Sequence, residues 1–499
     1  DDGAWAVAEV VTEGDTGRAR WQVPLAALGP RPEAPLALLQ LDDGIEAFLV
    51  DATTDPRFLR HLADSFAQTI EPGRHGASVT AGGATWSVET LGTESFIVPP
   101  DARVRVASGE QSNTSILIGD VAILKLFRRL EAGEHPDVEV TRFLTTEAAF
   151  AHTPTLLGVI HLAAPGEPPT VLGMLQEFLP NSVDAWRWTL ETGRGAGGAG
   201  RASQAARADA PPDDDVVPVD AGAPRAPRPA PRASYAPAAE RLGVVTRAMH
   251  EAFAGPAARA RPAFAPERVT TGEVRRWAER VEGQVRDAIA LLERQLAAGT
   301  VDGAMRAEAE ALVARRDAHL ALVAELAEAV ASDAGCLIRH HGDYHLGQVL
   351  RTAGGDFMII DFEGEPTRPL ADRRRKQSAL RDVAGMLRSF AYAAATLATE
   401  AGNALSDGER RAWAARWEQE ARAAFVRGYE RGPVAMTTAD TDDTDDDGAG
   451  FLPRHAEDVR RLTMLFEIEK VFYELAYELN NRPAWAWIPM QGIARLEAP

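Results

Sequence analysis

Two short stretches hold the residues best able to do chemistry: His341-Gly342-Asp343-Tyr344-His345-Leu346-Gly347-Gln348, then Phe357-Met358-Ile359-Ile360-Asp361-Phe362-Glu363-Gly364. Moving a phosphoryl group needs one carboxylate beside the attacking hydroxyl, to orient it and take its proton late. Another carboxylate must hold the metal ions that bridge the β- and γ-phosphates, and a hard oxygen ligand nearby can take a second ion. Asp343 suits the first task. Asp361, at the end of the apolar strand Met358-Ile359-Ile360, suits the second, and Gln348, with four residues between it and Asp343, suits the third. Both aspartates would also serve as turn residues capping strands, where Asp is common. That alternative leaves the ordered set unexplained.

These residues need a scaffold, and the chain offers the parts of one. The Asp343–Gln348 spacing matches the Asp-then-Asn order of a kinase catalytic loop, with Gln for Asn, and Asp361-Phe362-Glu363-Gly364 looks like the kinase Asp-Phe-Gly element with one inserted residue. Upstream, Lys125 interrupts an apolar strand, Ala122-Ile123-Leu124-Lys125-Leu126-Phe127. A lysine there normally points to solvent; in a kinase lobe it grips the α- and β-phosphates and pairs with a glutamate of the next helix. Glu139 is the natural partner, with Glu147 the alternative. A Gly-rich phosphate loop is not evident. Its place is taken by Glu110-Gln111-Ser112-Asn113-Thr114-Ser115, where the side chains of Ser112, Asn113, Thr114 and Ser115 and backbone N–H groups can meet phosphate oxygens. An ordinary polar turn before a strand is the alternative. Met174-Leu175-Gln176-Glu177-Phe178-Leu179-Pro180 reads as a hinge, with Gln176, Glu177 and Phe178 placed to hold adenine. Asp382 opens a later helix, as an acid favoured by the helix dipole or as a brace for the catalytic loop through backbone hydrogen bonds.

Composition narrows the classes. The 499 residues can hold several core-forming units, since domains cluster near ~100–150 residues. A net charge of -20 argues against nucleic acid, whose phosphates favour a basic surface. The lone cysteine, Cys336, excludes an internal disulfide and reads as cytoplasmic usage, with the thiol expected to be buried at the start of a strand. No run of ~18 apolar residues exists, so no membrane span is expected. No secretory leader is visible, although the chain opens at Asp1 without Met, which leaves room for residues upstream.

The predicted organisation is α+β. Residues 1–100 form a small region with strands at Leu36–Leu39 and Ala47–Val50 and a helix from Pro56 to Ala63. Residues 101–180 form a strand-rich lobe with a hinge: a tight hairpin about Gly119-Asp120, a helix from Pro136 to Ala151, and strands at Thr155–Ile160 and Val171–Phe178. Residues 181–499 form a helical lobe carrying the catalytic motifs, helical over 239–332, 378–432 and 454–482. A Gly-, Ala-, Pro- and Arg-rich stretch near 190–238 reads as a disordered insertion, and the acidic run from Thr437 to Gly448 as a solvated loop without EF-hand spacing.

At this point the residues resemble a family. The chain is similar to bacterial maltokinases over Glu110–Ser115, Ile123-Leu124-Lys125-Leu126-Phe127-Arg128-Arg129, His341–Arg351, Ile360–Pro366, Leu380–Ala393, Asn481-Arg482-Pro483, Ile488-Pro489 and Ile493–Leu496. The resemblance covers Glu110 to the C-terminus apart from the low-complexity stretch. It implies a bilobal, protein-kinase-like (aminoglycoside phosphotransferase-like) fold with an N-terminal cap subdomain. It further implies ATP and Mg2+ as cofactors, and maltose as the acceptor, giving maltose 1-phosphate. Asp343 would be the catalytic aspartate, Gln348 and Asp361 the magnesium ligands and Lys125 the phosphate-binding lysine. His341, Asp343, Tyr392, Glu474, Tyr477 and Arg482 would face the sugar. Carboxylates, Arg and aromatic faces are what sugar sites use, while an ordinary helix face is the alternative for the Tyr473–Glu478 run. The resemblance also implies association or fusion with a trehalose-metabolising enzyme. The chain departs from the family in residues 1–100, where Arg20-Trp21 is only superficially like the expected cap segment, and at Trp485-Ala486-Trp487 and Met490-Gln491-Gly492. The last two stand beside the implied sugar pocket, so a related sugar such as glucosamine, giving glucosamine 6-phosphate, is the alternative acceptor. A catalytically dead kinase-fold binding protein is disfavoured because Lys125, Asp343, Gln348 and Asp361 are all present. An antibiotic phosphotransferase would share the His-Gly-Asp logic but not the longer strings.

Overall fold

The apolar runs Ile116–Ile118 and Ala122–Leu124, with Leu126 and Phe127, make two largely buried strands, and the computed structural model pairs them antiparallel, Ser115 opposite Lys125. It describes residues 4–14, 17–28, 35–40, 46–67, 75–81, 83–91, 98–107, 113–196, 234–301, 303–365, 368–400, 406–433 and 450–496. Ser112, residues 197–233 of the low-complexity stretch and the acidic run Thr437–Gly448 lie outside these. The described residues divide into two units, one made of those within 1–184 and 350–363, the other of those within 185–349 and 364–499.

In the first unit, seven strands among the described residues form one antiparallel sheet, in the order His75–Ala81, Ala84–Thr90, Leu156–Ala163, Thr170–Glu177, Ala122–Phe127, Asn113–Ile118, Val104–Val106. The domain boundary expected at residue 100 therefore falls inside a sheet. The amphipathic helix Pro56–Ala67 runs four residues beyond its expected end and buries Phe58, Leu59, Leu62 and Phe66 against Ile116, Ile118, Leu124, Leu126 and Leu172. A second sheet opens with the hairpin Ala4–Gly14 and Gly17–Leu28, whose strands sequence reading did not find. The turn after Ile118 takes three residues rather than two, Gly119 adopting φ 54°. The helix from Pro136 ends at Thr146, short of Ala151, and Ala149 beyond it sits at φ 50°. Gly173 matters to the site: a Cβ there would lie 2.7 Å from the Lys125 carbonyl oxygen and push that strand away.

One ion cluster ties the Pro136–Thr146 helix to the sheet. Arg142 donates to both oxygens of Glu89 at 2.7 and 2.8 Å, and His161 meets the same carboxylate at 3.1 Å. Burial pushes the Glu89 carboxyl up, but these two partners outweigh it and bring it from 4.5 down to about 2. A depressed carboxyl stabilises the fold above its unfolded pKa and loses that contribution as pH falls through its folded one. The contribution is thus complete above pH 4.5 and fades toward about pH 2. Glu89→Gln is expected to lose about 1–3 kcal/mol at neutral pH, the range for a hydrogen bond to a charged group. Denaturant unfolding of both proteins across this pH range checks it: the two stabilities should converge in acid, and parallel curves would refute the assignment.

The second unit is mainly helical. The helix Leu380–Glu400 is buried along nearly its whole length, its run of Ala and Gly letting neighbours approach, and it packs on Asp407–Arg431 and Ala456–Asn481. Helices Ala236–Ala254 and Thr271–Ala298 pack against the latter two in turn. Part of the stretch expected to be disordered is a helix instead: Ala185–Ala196 is helical, with Leu190 and Thr192 buried. Glycines misled the reading there; a Cβ on Gly193 would strike Leu397 at 2.4 Å, so the small residue permits a close helix contact. Cys336 is buried at the start of the strand Cys336–Leu337, and burial pushes its thiol up. No described helix is long and apolar enough to cross a membrane.

Candidate active site

The first unit gathers three carboxylates around one ammonium. Lys125, 15% exposed, pairs with Asp361 and Glu363 and reaches Asp137 at 3.3 Å. The ligand oxygens of Asp137, Asp361 and Glu363 lie within 4.8 Å of one another, a spacing that suits a divalent cation. Asp137 also accepts from the Phe362 N–H at 3.0 Å, which fixes the chain just after Asp361. Asp361 itself stands at φ 67°, an unfavourable conformation for a non-glycine residue and one that recurs at functional sites. The strand before it is anchored by the Ile359 N–H donating to the His152 carbonyl at 2.7 Å.

The helix acid seen against Lys125 is Asp137, two residues before the expected Glu139. Pro136 starts the helix, and Asp137 and Glu139 both stand buried in its first turn, with Asp137 3.3 Å from Lys125. Glu147 is the residue after the last turn, far along the chain from that end. Asn113, Thr114 and Ser115 open the strand Asn113–Ile118, the span the sequence reads as one arm of the hairpin about Gly119-Asp120. The Asn113 amide donates to Glu363 at 2.8 Å, and Thr114 accepts from Arg128 at 2.7 Å. Gln176 and Glu177 end the Thr170–Glu177 strand, where the Glu177 N–H donates to the Thr155 carbonyl and the Phe178 N–H to that of Val121. Those two backbone donors are engaged inside the protein, so an adenine here would meet other groups of the segment.

In the second unit the loop from His341 is held from behind by a buried aspartate. Asp382 accepts from the His341 N–H at 2.8 Å and the Gly342 N–H at 3.0 Å. This is the brace expected of it. His250 Nε2 meets Asp382 at 3.1 Å while its Nδ1 meets the Tyr429 hydroxyl at 2.9 Å. Burial pushes the Asp382 carboxyl up, yet the His250 hydrogen bond and neighbouring imidazoles prevail and hold it well below the usual carboxylate range. Gly342 adopts φ 87°, open to glycine at little cost, and turns the chain into Asp343. The Asp343 carboxylate is partly exposed, with His345 and Lys470 each at 4.0 Å. Gln348 is 2% exposed, and among the described residues its Oε1 has no hydrogen-bond partner. An orphaned buried acceptor of this kind invites an explanation such as an unseen ion.

Of the residues expected at the sugar, Tyr392, Glu474, Tyr477 and Arg482 stand in one network with Glu478 and Arg388. The Tyr392 hydroxyl donates to Glu478 at 2.9 Å, and Arg482 donates to both oxygens of Glu478. Arg388 donates to Glu474 at 2.8 Å. The Arg482 guanidinium lies 5.6 Å from the Tyr477 ring centre and 5.2 Å from that of Trp485. Trp186, Trp485 and Trp487 pack around Tyr392, Ala395 and Ile488. His341 is buried in the loop. Sequence reading missed Asp137, Glu363, His250, Arg388 and Lys470. Glu363 had a signal, since it is the residue inserted into the Asp-Phe-Gly-like element.

No protein-family model matches the chain. It is 28% identical over 472 residues to a glucosamine kinase of Streptacidiphilus jiangxiensis, covering 92% of this chain and 90% of that protein. It is 29% identical over 383 residues to a glucosamine kinase of Mycolicibacterium smegmatis, covering 76% of each. Among solved structures, a glucosamine kinase matches with a TM-score of 0.58 at 21% identity, over 99% of this chain and 92% of that one. A glucosamine kinase in complex with glucosamine, ADP and inorganic phosphate matches with the same TM-score and identity, over 94% of its chain. The relatives thus bear the name of the alternative sugar, not that of maltokinase, and the chain has the mixed helix-and-sheet, kinase-like fold of these structures.

Proposed function

We propose that this chain is an ATP-dependent sugar kinase acting on glucosamine, with the primary hydroxyl, the least hindered, as acceptor. The observation that supports it is that the chain carries two kinase-like devices, each within its own unit: Lys125 among Asp137, Asp361 and Glu363, and Asp343 on a loop braced by Asp382. The names of the relatives favour glucosamine over maltose.

Lys125 takes the α- and β-phosphates of ATP, with backbone and small side chains of the Asn113–Ile118 strand beside it. Asp361, Asp137 and Glu363 offer hard oxygens suited to magnesium, and in the other unit the buried Gln348 Oε1 is a hard acceptor of the same kind. Magnesium, when bound, neutralises charge developing on the phosphates. Asp343 orients the acceptor hydroxyl and receives its proton as the oxygen bonds to the γ-phosphorus. The bond from that phosphorus to the β–γ bridging oxygen breaks, and its electron pair leaves with ADP. Glu474, Glu478 and Arg482 meet sugar hydroxyls or the ammonium, while Trp485 and the other tryptophans present apolar faces to the ring.

Coupled ATP turnover with glucosamine, maltose, glucose and trehalose tests the reading, with NMR of the product to locate the phosphate. Turnover is expected with glucosamine and to be at least ~10-fold weaker with maltose, since lost hydrogen bonds to an ammonium discriminate strongly. Preference for maltose would return the specificity to the maltokinase expectation, and inactivity with every sugar would remove the kinase reading.

A further inference from the structure

Lys470 lies on the helix Ala456–Asn481, 127 positions after Asp343 in the chain, yet its Nζ stands 4.0 Å from Asp343 Oδ1. The other oxygen, Oδ2, has His345 Nε2 at 4.0 Å. So the carboxylate expected to take the acceptor proton is flanked on both sides, by an imidazole from its own loop and by an ammonium from a distant helix.

The neighbouring charges show why this lysine is not simply neutralising an acid. Along the same helix the buried glutamates each have a close arginine: Glu467 with Arg422 at 2.7 Å, Glu469 with Arg381 at 2.7 Å, Glu474 with Arg388 at 2.8 Å and Glu478 with Arg482 at 2.7 Å. Lys470 is the exception. Its side chain is 31% exposed, and its nearest recorded acidic atom is the Asp343 oxygen at a non-bonding distance. A structural ion pair would close to ~2.8 Å. A 4.0 Å gap instead leaves room for one oxygen within hydrogen-bond distance of both groups. A cavity of about 90 Å³, lined by Gly342, Glu365, Lys470 and Tyr473 among others, adjoins this point. The groups facing Lys470 are Asp343, Glu365, Glu474 and Tyr473; burial pulls the ammonium pKa down, but they outweigh it and keep it protonated.

We infer that Lys470 is a positioning residue for phosphoryl transfer, holding the Asp343 carboxylate and, through it, the acceptor hydroxyl in the attacking geometry. The inference rests on the kinase reading above. A kinase catalytic loop needs a cation near its aspartate because a carboxylate and a phosphoryl group of like charge must come together. The loop places only imidazoles beside Asp343, His341 at its N–H and His345 near its carboxylate, and Lys470 supplies an ammonium from outside it.

The experiment compares wild type, Lys470→Met and Lys470→Arg as full chains, in steady-state kinetics with glucosamine and ATP and in thermal unfolding. Lys470→Met is expected to lower kcat by about 10²-fold, the scale of a misplaced reacting group, with KM for ATP and Tm unchanged. Lys470→Arg is expected to restore most of the loss, because the charge returns. A kcat for Lys470→Met within roughly twofold of wild type overturns the inference while leaving the kinase reading intact. So does a loss that arrives with a matching fall in Tm and no rescue by Arg, which would mark a structural role. If wild type itself turns over no sugar, the kinase reading falls and this inference with it.

Discussion

Replacing Asp343 by asparagine is expected to lower kcat by about 10²–10⁴-fold, the range for losing a positioned general base, while ATP affinity and thermal stability stay at wild-type values. The substitution removes charge and proton affinity but little volume. What holds the loop does not depend on that carboxylate: Asp382 takes the His341 and Gly342 N–H groups, and the Asp343 N–H itself donates to His341 Nδ1 at 3.3 Å. Nothing in the Lys125 cluster belongs to this loop, so nucleotide binding should persist. Steady-state kinetics with calorimetric titration of ATP separate the outcomes. Turnover near the wild-type rate would remove Asp343 as the base. A fall in Tm would reassign it as a structural turn residue, the alternative its position in a loop leaves open. As an ATP-dependent sugar phosphotransferase, the enzyme would then need another acceptor for the hydroxyl proton, and no other described carboxylate is held on the Asp382-braced loop.

What the sequence made legible follows from how tightly chemistry restricts residue type. Asp343, Asp361, Lys125 and Asp382 are residue types that few others could replace in the proposed chemistry, and their order along the chain survives any loop length. Helices over 380–400 and 456–481 were readable because long amphipathic or apolar runs leave little choice. Partners were less legible. Asp137 and Glu363 compete with Glu139 and Glu147 as acids near Lys125, and only the sheet register and the start of the helix at Pro136 decide which reach it. The edge hairpin Ala4–Leu28 was missed because it does not alternate cleanly: Gln22 is buried while Val7, Val10 and Val11 stand exposed. Residues 190–196 were misread because Gly and Arg suggest disorder, whereas the small side chains there allow helix against helix. The acceptor was the least legible of all, since carboxylates and arginines such as Glu474, Glu478 and Arg482 suit neutral and amino sugars alike.

Lys125 offers the sharpest test of the nucleotide role proposed for its cluster. Its ammonium is the cation seen amid Asp137, Asp361 and Glu363, whose side chains are 1%, 11% and 8% exposed. Lys125→Met keeps the apolar stem and removes the charge, leaving three carboxylates crowded in a buried place. Breaking one partner out of a buried ion cluster costs about 3–5 kcal/mol, because the remaining charges stay uncompensated. The variant is therefore expected to lose activity and also to unfold several degrees earlier in metal-free buffer. Millimolar Mg2+ should then raise its Tm more than that of wild type, since the same oxygens accept a hard cation in place of the ammonium. Asp361→Asn is expected to behave in the opposite way: Lys125 keeps Asp137 and Glu363, so Tm holds, while affinity for ATP in the presence of Mg2+ falls and affinity without it changes little. Differential scanning fluorimetry with and without Mg2+, beside ATP titrations of both variants, reads the two effects separately. Equal Mg2+ shifts in Lys125→Met and wild type would show that the three carboxylates do not form a cation site, and unchanged Mg-ATP affinity in Asp361→Asn would remove Asp361 from the metal ligands. If both variants behave as expected, Lys125 is standing where a metal ion and a polyphosphate share the site in the working enzyme, and the ammonium is what keeps that acidic cluster folded between turnovers.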